Sequence, residues 1–183
     1  MADVVFFHSA LGLRPAVRAA AERLRAAGHT VRTPDLYDGR TAGNVADGVA
    51  LAQQLGMVVL MERARDAVAD VPAGAVYAGL SLGSGVAARI AKLRGDASAL
   101  VLLHGSPELT GLDGLPVTLH AASPDDWVEE DELDVLKPRQ HTEIFRYDAV
   151  SHLYTDPGTR ESKPLDAEAA ELTWQRVLAF LAR

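Results

Sequence analysis

The chain has 183 residues, 48% apolar and 23% charged, a balance that suits one globular domain with a single core. Its net charge of −7 argues against a nucleic-acid or anionic-membrane partner. With no cysteine, a disulfide framework and thiol chemistry are both excluded.

The opening Met1-Ala2-Asp3 has no basic segment, and the apolar run after it is too short for a secretory signal. No stretch approaches the ~20 apolar residues of a membrane helix. The expectation is a soluble, cytoplasmic protein that uses a small-molecule substrate and neither nucleic acid nor membrane. A homodimer is left open as its assembly.

Along the chain, short apolar runs alternate with longer amphipathic ones. Residues 4–7 read as a strand, followed by His8-Ser9-Ala10-Leu11-Gly12. Leu13, Val17, Ala20, Ala21 and Leu24 then share one face of a helix over residues 13–27, and Gly28 stands where a C′ residue should. A strand at 30–32 leads to Asp35-Leu36-Tyr37. Asn44 can cap a long helical segment that runs to about Asp70 and is bent or split at Gly56. Residues 75–78 form the next strand, and Leu82, Val86, Ile90 and Leu93 mark a helix that Gly95 closes. Strands at 100–103 and 117–120 end in His104-Gly105-Ser106 and Ser123-Pro124-Asp125-Asp126. The acidic run at 129–134 reads as a solvated helical face that stops before Pro138. A last strand at 143–147 leads to Ser151-His152, and Ala170, Trp174, Val177, Leu178 and Leu181 define a final helix with Asp166 as its cap.

Alternation of this kind predicts an α/β fold: a six-stranded, mostly parallel sheet with helices on both faces, one domain over residues 1–183 without a separate cap domain. In such sheets ligands gather at the C-terminal ends of the strands. Each of those ends carries polar, chemically capable residues.

Gly79-Leu80-Ser81-Leu82-Gly83 is a G-x-S-x-G pentapeptide between a strand and a helix, the setting of a nucleophile elbow. The turn is strained, the glycines relieve crowding, and the helix N-terminus faces developing negative charge. A serine hydroxyl needs a base to take its proton, and a carboxylate to orient that base. In elbow enzymes the chain order is nucleophile, acid, base. His152, after the last strand, is the candidate base. Asp125 and Asp126 both follow the preceding strand and are candidate acids, with Asp148 a third. The amides of Leu82 and Ala10, with Leu11 next, are candidate oxyanion donors. His8, Ser9, Tyr37, Arg40 and His104 are candidate substrate-binding residues, and Trp127 a packing or pocket-wall residue. The histidines lack HxH or HExxH spacing, so neither metal nor cofactor is expected.

These residues resemble the dienelactone hydrolase family, a branch of the α/β-hydrolases, over most of the chain. The likeness lies in Thr33-Pro34-Asp35-Leu36-Tyr37, in Gly79–Gly83, in His120-Ala121-Ala122-Ser123-Pro124-Asp125 and in Ser151-His152-Leu153-Tyr154. The resemblance implies a minimal α/β-hydrolase fold starting at that superfamily's third strand, with strand order 4-3-5-6-7-8. It also selects Asp125 over Asp126 and supports His152 and Ala10. Ser81 stands where the family's namesake enzymes have cysteine, and Ser9 where they have glutamate. Their carboxylate-binding arginine has no clear counterpart between Thr41 and Leu60. The implied activity is hydrolysis of an ester or lactone. A thioesterase, a perhydrolase or a non-catalytic binding module on the same scaffold are the alternatives.

Overall fold

The computed structural model describes residues 1–128, 131, 133–134, 141–148, 150–159 and 162–183. Among the described residues six parallel strands form one sheet: β1 (Asp3–Phe7), β2 (Thr30–Arg32), β3 (Val76–Leu80), β4 (Ala99–Leu103), β5 (Val117–Ser123) and β6 (Thr142–Asp148). Their order is β2-β1-β3-β4-β5-β6, the order the family resemblance implies. The main helices among the described residues are α1 (Pro15–Ala26), α2 (Val45–Leu55), α3 (Met57–Ala67), α4 (Leu82–Arg94) and α5 (Asp166–Leu181).

Side chains alternate across the pleat, which builds two cores. Val4, Phe6, Val76, Ala78, Val101 and Leu103 point to one face and meet Val17, Ala21 and Leu24 of α1 and Trp174 and Val177 of α5. Val5, Phe7, Tyr77, Leu100, Leu102 and Leu119 point to the other, against Leu60 and Ala64 of α3 and Val86, Ile90 and Ala91 of α4. Burial on both faces explains why β3 and β4 read as near-continuous apolar runs.

The segment after Asn44 is two helices. Asn44 Oδ1 accepts the Asp47 N–H at 2.9 Å, as expected of an N-cap, but the chain turns by 85° at Gly56, whose φ of 81° suits glycine. Among the described residues no single helix is long and apolar enough to cross a membrane. Asp166 does not cap α5. It is the helix's first residue, after the N-cap Leu165, and its carboxylate turns back to residue 151. The acidic run at 129–134 and its end before Pro138 lie largely outside the described residues, of which Asp131, Leu133 and Asp134 are helical.

His120 on β5 is fully buried between Thr118 Oγ1 (3.0 Å) and Tyr147 Oη (2.9 Å), and burial, with a smaller push from the Arg176 charge, drives its pKa down to about 3. In the unfolded chain a histidine titrates near its ordinary value of about 6.5. The folded state therefore keeps its full share of stability above pH ~6.5 and loses it as the pH falls toward 3. His120 alone should cost about 2 kcal/mol at pH 5 relative to pH 8. Urea unfolding at both pH values should show this loss, and His120→Gln should flatten the difference by a similar amount. An unchanged slope in His120→Gln would show that this histidine does not carry it.

Candidate active site

β3 ends in a tight reversal at Ser81, whose φ of 52° and ψ of −112° are unusual for a residue with a side chain. One hydrogen bond fixes the turn to the sheet, Ser81 N–H donating to Leu103 O at 2.7 Å, and one closes the turn itself, Ser84 N–H donating to Ser81 O at 2.8 Å. The buried Ser84 hydroxyl lies 2.8 Å from Gly79 O and 3.0 Å from Leu103 O. Gly79 and Gly83 are required by space. A Cβ at Gly79 would sit 2.1 Å from Gly83 O, and one at Gly83 would sit 2.5 Å from both Phe7 O and His8 O. The first turn of α4 is thus pressed against the end of β1.

Ser81 Oγ lies 2.9 Å from His152 Nε2, and His152 Nδ1 lies 2.8 Å from Asp125 Oδ2. A carboxylate can only accept, so Nδ1–H donates to Asp125, which leaves the Nε2 lone pair to accept from the Ser81 hydroxyl. The Asp125 side chain is fully buried, and its second oxygen accepts the Trp127 N–H at 2.9 Å. Asp126 is exposed, and so is Asp148, which pairs with Ser123 at the end of β6. Of the three candidate acids, the structure brings Asp125 alone to His152.

The loop after β1 carries Ala10. The Leu11 N–H is already taken, donating to Ser9 Oγ at 3.1 Å. Leu82 is the first residue of α4, where an amide has no acceptor within the helix. The β1 loop is held from outside by α2, because a Cβ at Gly48 would meet Ala10 O at 2.6 Å.

Of the five expected substrate-binding residues, four are buried and Arg40 is exposed. His8 is fully buried and both ring nitrogens are engaged: Nδ1–H donates to Ser9 O at 2.7 Å, and Nε2 accepts the Leu36 N–H at 3.0 Å. Burial lowers its pKa, so it is a neutral strut between the β1 and β2 loops. Ser9 is spent on Leu11, and Tyr37 packs edge-on to His8 at 4.7 Å with its hydroxyl pushed up to about 12 by burial. His104 is buried behind His152, with ring centroids 6.2 Å apart, and its Nε2 lies 2.6 Å from Thr155 Oγ1. Burial holds its pKa well below the ordinary range. Arg40 is exposed, and its Nε–H donates to Tyr37 O at 3.3 Å. None of the five lines the cleft of about 150 Å³ beside His152. A larger cavity of about 600 Å³ opens at the opposite edge of the sheet, between Val76, Pro116 and Phe180, away from Ser81.

Sequence reasoning missed what holds the histidine loop. Asp166 accepts from Ser151 N–H (2.7 Å) and Ser151 Oγ–H (2.6 Å), and so pins the residue before His152 to α5. Asp156, 2% exposed, lies 3.2 Å from Arg14 Nε. That contact is an ion pair whose angle falls short of a hydrogen bond, since both Asp156 oxygens lack one. Burial raises the Asp156 pKa, and the Arg14 charge opposes the rise. Arg14 also donates to Ala42 O (3.0 Å) and Gly158 O (3.3 Å), tying the β1 loop to the histidine loop. Nothing in the local pattern flags these partners, because each joins segments far apart in sequence. Among the described residues no group of three or more His, Asp or Glu could hold a metal ion.

A family model of dienelactone hydrolases matches residues 1–183. The chain belongs to the dienelactone hydrolase family. Membership makes it a hydrolase of α/β-hydrolase fold. No protein of curated function matches its sequence. Among solved structures it is similar to a dienelactone hydrolase-like promiscuous phosphotriesterase from metagenomic libraries, with 20% identity and a TM-score of 0.79 over 100% of this chain and 86% of that one. A dienelactone hydrolase of Klebsiella pneumoniae, described as putative, shares 18% identity with a TM-score of 0.75, covering 98% and 86%. One from Anabaena variabilis shares 23% identity with a TM-score of 0.63, covering 95% and 84%. At these identities the structures show the shared fold of the dienelactone hydrolases.

Proposed function

We propose that the protein is a serine hydrolase that cleaves a carboxylic ester or lactone through an acyl-enzyme. The observation that carries this reading is the unbroken hydrogen-bonded chain from Ser81 through His152 to Asp125, with the serine raised on a strained elbow. Ser81 Oγ attacks the carbonyl carbon while His152 Nε2 takes its proton. Asp125 holds the imidazole in the correct tautomer and stabilises the imidazolium. The amides of Leu82 and Ala10 receive the oxyanion, helped by the positive end of α4. His152 then gives its proton to the leaving oxygen and next takes one from the water that releases the acyl group. No step in this cycle calls on a cofactor.

A fluorophosphonate probe should label Ser81 in the folded protein, and short p-nitrophenyl esters should be turned over. Ser81→Ala should abolish labelling and lower kcat by at least about a thousandfold. Folded wild-type protein that resists the probe, or a Ser81→Ala variant with full activity, would sink the reading. Binding of such esters without turnover would point instead to a non-catalytic module.

A further inference from the structure

We propose that the cleft beside His152, walled by Trp127, is a subsite for an aromatic leaving group, so that the substrates are esters of aryl alcohols. This deepens the serine-hydrolase reading and rests on it. Trp127 is 49% exposed, although an indole is among the largest apolar surfaces a protein can bury. Its ring centroid lies 6.3 Å from that of His152, at an interplanar angle of 40°. The Trp127 N–H donates to Asp125 Oδ1 at 2.9 Å, which fixes the residue against the same acid that orients the histidine. The backbone at Trp127 is therefore held in place, with the indole beside the His152 ring.

Apolar residues (Val45, Trp127 and Leu153 among them) and polar ones (Asp126, His152 and Lys163 among them) share the lining of the cleft, whose volume is about 150 Å³. By volume alone it has room for one benzene ring. Val45 and Leu153 are 4% and 3% exposed and pack with Leu11 into one apolar cluster, so two walls are fixed and dry. At the rim, Lys163 Nζ–H donates to Val150 O at 2.7 Å.

The direction of the chemistry places the leaving group here. Ser81 Oγ forms a bond to the carbonyl carbon, and the bond from that carbon to the aryloxy oxygen breaks. The proton that His152 took from Ser81 passes to the departing oxygen, giving a neutral phenol and the acyl-enzyme. The departing oxygen must lie within reach of His152 Nε2, so the group attached to it lies on the histidine's side of the serine. Beside His152 the structure supplies the exposed indole of Trp127.

The test compares kcat/KM for phenyl acetate and trifluoroethyl acetate, two activated esters with the same acyl group, in the wild type, Trp127→Ala and Trp127→Phe. Both substitutions keep the backbone N–H that Asp125 accepts. The ratio of phenyl to trifluoroethyl activity should fall about fivefold in Trp127→Ala, mainly through KM for the phenyl ester, and Trp127→Phe should recover most of it. Phenol should compete with trifluoroethyl acetate in the wild type and lose potency in Trp127→Ala. A ratio that stays constant, or both activities falling together, would overturn the proposal and leave the hydrolase reading intact. So would a wild type that labels at Ser81 yet turns over neither ester. Absence of both labelling and turnover would remove the hydrolase reading first, and the subsite with it.

Discussion

Asp125→Asn should lower kcat by about ten-thousandfold, whereas Asp126→Asn should leave it within about twofold. The two side chains are neighbours in sequence with the same charge, so the contrast isolates position. Asp125 is buried and accepts from His152 Nδ1–H at 2.8 Å. An asparagine at this position can present an N–H to Nδ1, which drives the ring into the opposite tautomer. Nε2 then carries a proton and cannot take one from Ser81, although Ser81 and His152 are still in place. Asp126 is exposed, and its loss removes one solvated charge worth little. Single-turnover rates with an activated ester would read acylation directly. Equal losses in the two variants would remove Asp125 from its proposed role, and equal retention would turn attention to Asp148.

The strands and the layers were legible because buried parallel strands leave a strong mark, a short apolar run followed by polar residues at the C-terminal end, whereas the strand order came from the family resemblance. Gly79–Gly83 was legible for a related reason, since a serine between strand and helix rarely needs small residues on both sides unless the chain reverses tightly there. The acid was legible only in part. Periodicity and turn chemistry could not separate Asp125 from Asp126 on one turn, and the family resemblance made the choice. His8, Ser9 and Tyr37 show where the strand-end argument stops. They do lie at strand ends, but α2 and α3 fold over that edge and the Leu36 amide occupies the His8 ring. A buried imidazole with two backbone partners leaves the same trace in the sequence as one facing substrate. Asp166 shows the converse. Cap chemistry accounted for it well enough locally, and its actual partner, Ser151, comes from another part of the chain.

Gly83→Ala should cost about 3 kcal/mol of stability and, in the protein that still folds, about a hundredfold in rate. The added methyl would sit 2.5 Å from Phe7 O and His8 O and 2.9 Å from Phe7 C, all backbone atoms of β1 and the start of its loop. A flexible side chain could rotate away from such a contact, but a strand in the middle of a sheet cannot. The first turn of α4 must therefore move outward, taking Ser81 and the Leu82 amide away from His152 and Ala10. Gly85→Ala, on the same helix, is the matched control. There the nearest atom to the new Cβ is Arg89 Nη1 at 3.5 Å, and alanine is the better helix former by about 1 kcal/mol, so that variant should gain stability. Thermal midpoints and acylation rates for both variants, measured side by side, distinguish a collision from a general intolerance of change in α4. A Gly83→Ala protein with the wild-type midpoint and rate would mean that β1 and α4 are not held together as tightly as these distances require.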